Sequence, residues 1–200
     1  MNPMPAADRR ITAADIVPDA VFSVQRKARR AALLPAKRLR RIALGPWCTV
    51  YFESFETMLF QVQEMLLIEK GGEAQLADEL AAYNPLIPQG RKLVATVMFE
   101  IDDPVRRATV LGELGGVEEH FYLEVAGERS MGQQEGDVER TREDGKTSSV
   151  HFLRFPLSAP QVRAFRERDA KAVIGCDHPL YAHMAALGEA TRAELAKDLA

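Results

Sequence analysis

The chain reads as an α+β fold, a single domain with a mainly antiparallel sheet packed with helices. Three observations predict it. Runs with strand character, such as KLVATVMFEI and VHFLRFPL, and runs with helix character, such as FETMLFQVQEMLLIEK, do not alternate strictly as a parallel βαβ sheet requires. The 200 residues are 46% hydrophobic, enough to bury a core without disulfides or a structural metal. A charged fraction of 28%, a net charge of −3, 13 Gly and 11 Pro belong to a globular chain and exclude disordered and collagenous classes. One domain over residues 1–200 is therefore expected, with residues 1–19 as a loosely attached N-terminal arm.

Taken in order, Thr12-Ala-Ala-Asp15 has the spacing of a capping box. Asp19 is placed to cap a basic amphipathic helix from about Ala20 to Leu34, which Pro35 should stop. Gly45-Pro46 then predicts a tight connection into a strand from Trp47 to Glu53, with Cys48, Val50 and Phe52 on one face. Ser54 caps a helix whose Phe55, Met58, Leu59, Val62, Met65 and Leu66 share a face, while Phe60 and Leu67 form a second apolar strip. A helix apolar on two sides should be largely buried. Its Gln61 and Glu64 then need partners, because an unpaired buried polar group or charge is costly. A glycine break, an amphipathic helix to about Tyr83 and a turn-rich loop through Asn84-Pro85 follow.

Farther on, KLVATVMFEI is a strand, and Asp102 or Asp103 before Pro104 opens a helix that Gly115-Gly116 closes. EHFYLEVAG resumes strand, and Glu128 to Ser149 is polar, a hairpin and exposed loop. VHFLRFPL reads as a central strand with His151 beside Leu153 and Phe155, and Arg154 beside Phe152. A surface helix from Ala159 to Lys171, a short buried strand AVIG and a last helix boxed by Thr191 and Glu194 complete the chain.

Several function classes are weakened by what the chain contains. MNPMPAADRR has no apolar signal core, and no window approaches the roughly 18 to 20 apolar residues of a bilayer span, so no membrane insertion and a cytoplasmic location are expected. Cys48 and Cys176 form no metal-binding pair and are expected to be free thiols. Gly145-Lys146-Thr147 fails as a phosphate loop, since Arg140 stands where the first glycine belongs and a strand follows instead of a helix. RKARRAALLPAKRLRR carries eight cations and no acid. Nucleic-acid binding through it is an alternative, but the rest of the chain is acidic and no nucleic-acid-binding motif is present.

The segment VIGCDHPLYAH concentrates chemistry-bearing residues. Pro179 favours a first helical position, which makes His178 an N-cap with Asp177 beside it at the positive end of the helix dipole. His183 follows His178 by five residues instead of the four that would stack two imidazoles, so a local metal site lacks its geometry. Cys176 at such a helix start would have a depressed thiol pKa. A site assembled through space is also open: Glu64, His151 and His178 together are a ligand set for a transition metal. The competing expectation is that Glu64 pairs with Arg154 or another base.

Four stretches carry a resemblance: GPWCTVYFESFETMLFQVQEML (Gly45 to Leu66), AYNPLIPQG (Ala82 to Gly90), KTSSVHFLRF (Lys146 to Phe155) and IGCDHPLY (Ile174 to Tyr181). With the T-x-x-D start they resemble an uncharacterised bacterial family, a domain of unknown function. The resemblance implies no activity. It implies a small cytoplasmic protein, often encoded beside rubrerythrin-like and heterodisulfide-reductase-like iron–sulfur proteins, and it does not require Cys176 to be cysteine. The polar residues in the matching stretches are the candidate binding residues: Glu53, Gln61, Glu64, Tyr83, Asn84, His151, Arg154, Asp177 and His178.

The leading expectation is a non-enzymatic accessory or binding protein for a redox or iron–sulfur partner, docking through the basic N-terminal helix or the Glu128 to Ser149 loop. The alternatives are a metal-binding protein or small metalloenzyme using Glu64, His151 and His178, and a nucleic-acid-binding protein.

Overall fold

Strand-forming runs pair into two antiparallel sheets in the computed structural model, which describes residues 9–134, 145–167 and 169–200. One sheet runs in the order β1 (Arg41–Leu44), β2 (Cys48–Phe52), β3 (Lys92–Phe99), β7 (Val150–Pro156), β6 (Gln133–Gln134). The other runs β5 (Glu128–Met131), β4 (Phe121–Val125), β8 (Ala172–His178), β9 (Tyr181–Ala186). Every paired neighbour is antiparallel. Val50, Phe52, Ala95, Val97, Leu153 and Phe155 of the first sheet meet Leu123, Val125, Ile174 and Cys176 of the second in one continuous core. Each fully buried large side chain of this kind contributes about 1.5–3 kcal/mol.

Tyr181 fastens the sheets together. Its hydroxyl donates to the Leu44 carbonyl at 2.7 Å and accepts from the backbone N–H groups of Trp47 and Cys48 at 3.1 and 3.0 Å, while the Trp47 ring stacks over it. The turn at Gly45 must come close for this to happen: its φ is +74°, and a Cβ there would stand 2.5 Å from the His183 ring. Gly175 plays the same part on β8, where a Cβ would strike the Tyr122 ring.

Helices α1 (Asp19–Leu39), α2 (Phe55–Glu69) and α3 (Gly72–Tyr83) gather on the outer face of the five-stranded sheet, while α4 (Pro104–Glu113), α5 (Ala159–Arg166) and α6 (Glu189–Leu195) complete the described helices. Met58, Val62 and Leu66 of α2 join Val94 of the sheet and Ile11, Leu86 and Ile87 in a second core, with Phe152 and Tyr83 packed against it. The other apolar strip of α2 is covered by α1: the Phe60 ring lies 5.7 Å from that of Phe22. Two-sided apolarity thus meant a sheet beneath and a helix beside.

Four expectations are corrected. Pro35 does not stop α1, which continues to Leu39. A proline inside a helix leaves the carbonyl four residues earlier without its N–H, and here both Pro35 and Ala31 are exposed, so that carbonyl has solvent instead. The last helix is capped at Gly188, which puts Thr191 within it. Pro179 opens no helix: Pro179-Leu180 is the two-residue turn of the β8–β9 hairpin, in which His178 pairs with Tyr181. The N-terminal arm is not loose from Arg9 onward. Ile11 is buried and its backbone makes two hydrogen bonds with the Asn84 side chain, at 2.8 and 3.0 Å, while Gln63 binds both backbone groups of Val17.

Arg40, just past the end of α1, is the charged centre of the fold. Its buried guanidinium donates to Asp198 at 2.6 Å, to Glu194 at 3.0 Å and to the Glu53 carbonyl at 3.0 Å, and Arg9 reaches the other Asp198 oxygen at 3.0 Å. Burial works against the Arg40 charge, yet the Asp198 and Glu194 carboxylates prevail and raise its pKa above the usual value. Replacing Arg40 by Met removes the central cation from two buried carboxylates, leaving Asp198 to Arg9 and Glu194 to Lys197, and breaking such a buried network costs about 3–5 kcal/mol. Chemical denaturation of R40M should show that drop in unfolding free energy.

Candidate functional site

The site is a cleft of about 210 Å³ on the outer face of the five-stranded sheet, where α1 and α2 part. Alternation along the strands selects what it contains. Cys48, Val50 and Phe52 point into the core, so Thr49, Tyr51 and, one residue past β2, Glu53 fall on the outer side. On β3 the same rule turns Val94, Thr96 and Met98 outward. Register then sets Thr96 opposite Tyr51, next to Glu53.

The Glu53 carboxyl forms the floor of the cleft. Thr96 Oγ1 donates to its Oε1 at 2.7 Å and Thr57 Oγ1 to its Oε2 at 2.8 Å. Thr57 is placed by the start of α2: Ser54 Oγ accepts from the Thr57 N–H and Thr57 Oγ1 accepts from the Ser54 N–H, a reciprocal capping box. Burial pushes the Glu53 carboxyl above its ordinary pKa, against the pull of the two threonines, Lys37 and Arg40. Lys37 and Gln61 stand at the rim, and neither makes a side-chain hydrogen bond or ion pair among the described residues. Met58 and Met98 supply apolar wall.

Beyond Lys37, Tyr51 and Gln61 the cleft opens into a groove of about 490 Å³ between α1 and α2, edged by Arg30, Arg38 and Arg41 and by the exposed Leu34 and Ile68. Glu64 lies on this groove. It takes two hydrogen bonds from Arg26, at 2.7 and 2.6 Å, which hold its carboxyl below the ordinary value against burial. At the far edge of the sheet Glu100 accepts from Thr49 at 2.5 Å and Tyr51 at 2.8 Å, bonds that depress its pKa.

Of the nine candidate residues the structure brings three to this place: Glu53 and Gln61 in the cleft and Glu64 on the groove. Asn84 instead ties down the N-terminal arm, and Tyr83 packs into the second core. Arg154 donates to the Gln134 carbonyl from the outer face of β7. His151, fully buried, bonds the Ser148 carbonyl at 2.8 Å and meets Phe99 edge-on. Asp177 and His178 sit on the other sheet, where Asp177 contacts His120 and Arg129 and the His178 ring lies 5.1 Å from His120. Glu64, His151 and His178 therefore do not assemble, and among the described residues no three His, Cys, Asp or Glu could hold a metal ion. The expected partner of Glu64, a base, is present, but it is Arg26 and not Arg154.

Cys176 is no reactive thiol at a helix start. It faces the core from a strand, and burial pushes its pKa up to about 11; burial likewise raises Cys48. Residues missed in the sequence are Lys37, Thr57 and Thr96. Ser54-x-x-Thr57 was a readable capping signal, whereas Lys37 was hidden by the assumption that Pro35 ends the helix.

Fold and cleft together define a two-sheet α+β protein with a polar cleft outside the sheets, between a pair of helices. The chain belongs to the family described as Protein of unknown function (DUF3501), whose model matches residues 10–199. It is similar to a solved structure from Burkholderia pseudomallei, described as a novel protein of unknown function, with 33% identity over 96% of this chain and 100% of that one and a TM-score of 0.88. No curated protein matches it.

The His178 pair generates a pH prediction. Burial, then the neighbouring His120, lowers the His178 pKa below its usual 6.5, while the Gly115 backbone and Glu118 pull the other way. The unfolded chain then binds more protons than the folded one near that value, so stability should fall as pH drops through 6.5, by at most about 1.4 kcal/mol per pH unit from this group. Urea titrations between pH 8 and 5 should show that decline, and His178→Gln should flatten it.

Proposed function

We propose that this protein is a non-enzymatic, cytoplasmic binding protein that docks an acidic, amphipathic segment of a partner protein in the groove between α1 and α2. One observation carries the reading. Arg26, Arg30 and Lys37 repeat on one face of α1 with Lys27 and Arg38 alongside, and Arg26 is the one of the five with an ion pair among the described residues. In a chain of net charge −3 this is a concentrated positive strip. Such a strip raises the on-rate of an oppositely charged partner and makes its binding salt-dependent. The apolar groove beside it, edged by the exposed Leu34 and Ile68, accommodates the apolar side of the same segment. Its walls come from α1 and α2, with Arg41 and Tyr51 of the sheet between them.

The resemblance implies the partner's class, a redox or iron–sulfur protein encoded nearby. No metal reading is carried forward, because its three ligands stand apart. The other docking surface considered, Glu128 to Ser149, has residues 135–144 outside the described residues. No described helix is long and apolar enough to cross a membrane.

Charge reversal tests the docking. Lys27→Glu, Arg30→Glu and Arg38→Glu combined should leave the melting temperature within a few degrees, since exposed charges matter little to stability. Affinity capture from native cells should retain an acidic redox protein on the wild-type chain, weakened by raising salt from 50 to about 300 mM, and lose it on the reversed variant. Recovery of the bait alone, or equal capture by both chains, overturns the proposal. A shift of nucleic acid by the wild-type chain in place of protein capture gives the strip to nucleic acid instead.

A further inference from the structure

We infer that the inner cleft over Glu53 is a small-molecule site for a zwitterion of amino-acid type, with a medium-sized apolar side chain. This goes beyond the docking reading and does not depend on it: Glu53 lies beneath the groove, and Lys37, which borders both places, is unchanged in the charge-reversed variant that tests the docking.

The cleft offers one group of each sign, and they do not neutralise each other. Lys37 and Glu53 interact through space but make no ion pair. Arg40, the other cation in the lining, is already matched by Asp198 and Glu194. Each Glu53 carboxyl oxygen takes one threonine hydroxyl, Thr96 on Oε1 and Thr57 on Oε2, and each keeps a further acceptor position in a residue that lines the cleft. A half-buried carboxyl with no cation in contact is destabilised in its charged form, and an ammonium donor brought against it restores the balance. Lys37 at the rim then receives the carboxylate, and the amide of Gln61, without a hydrogen-bond partner among the described residues, can serve either group.

The walls set the third requirement. Met58 and Met98 line the cleft with apolar surface, and their unbranched thioethers adapt to occupants of differing shape. A volume of about 210 Å³ is below the usual range for drug-sized ligands, and suits a molecule the size of leucine or methionine.

The test uses the purified full chain with L-leucine and L-methionine as probes, followed by calorimetry and by NMR of the Thr57 and Thr96 amides. Both amino acids should bind with dissociation constants of about 1 mM or tighter. Two cut-down probes, 4-methylpentanoate without the amine and 3-methylbutylamine without the carboxylate, should each bind at least about tenfold more weakly. Glu53→Gln should weaken both amino acids by about tenfold or more, and so should Lys37→Ala, an exposed position whose loss leaves the fold intact should the Glu53 variant fail to fold. No saturation by either amino acid at about 10 mM, equal binding of a cut-down probe, or undiminished binding to Lys37→Ala overturns the inference. Because no partner protein is present, a negative result here leaves the docking of an acidic segment standing, and the reverse also holds.

Discussion

A single buried guanidinium holds together parts of the chain that are far apart in sequence. Arg40 links the end of α1 to Glu194 of α6, to Asp198 near the C-terminus and to the backbone of Glu53, and Arg9 extends the set to the N-terminal arm. Such a cluster adds little net stability over well-packed apolar residues, because each ion must be taken out of water. What it does supply is geometry. The helix end, the strand end and the chain terminus each must sit where a specific hydrogen bond can form, and the distance between α1 and the sheet edge follows from that.

The cleft is a by-product of this placement. Lys37 stands near Glu53 without contacting it, whereas Arg26, about three turns away on α1, closes over Glu64. With Arg40 anchored to the Glu53 carbonyl, the side chain of the same glutamate is left facing a gap, supported by Thr57 and Thr96 but not matched in charge. The contrast between the two glutamates is physical: Glu64 is paired and its pKa falls, while Glu53 is buried without a contacting cation and its pKa rises.

The segment richest in reactive residue types has a different role. In Val173 to His183 the glycine makes room for Tyr122, Tyr181 staples the two sheets through three hydrogen bonds, and His183 packs on the Gly45 turn. Cys176 fills the core. The segment thereby joins the second sheet to the β1–β2 turn of the first.

Alternation and capping were legible in the sequence because they are local. The inward face of β2, the face of β7 that holds His151, Leu153 and Phe155, and the Ser54 cap of α2 depend on residues a few positions apart, and the structure bears each of them out. The mainly antiparallel α+β class followed from the order of such elements. Tertiary structure alone decided the rest. Proline 35 ended a helix by its local preference, yet an exposed position let the helix run on; proline 179 suited a helix start and a hairpin turn equally, and strand pairing chose the hairpin. Which acid meets which base is likewise set by how helices pack across long sequence separations, and so Glu64 found Arg26, while Glu53 was left with two threonines and an open cleft.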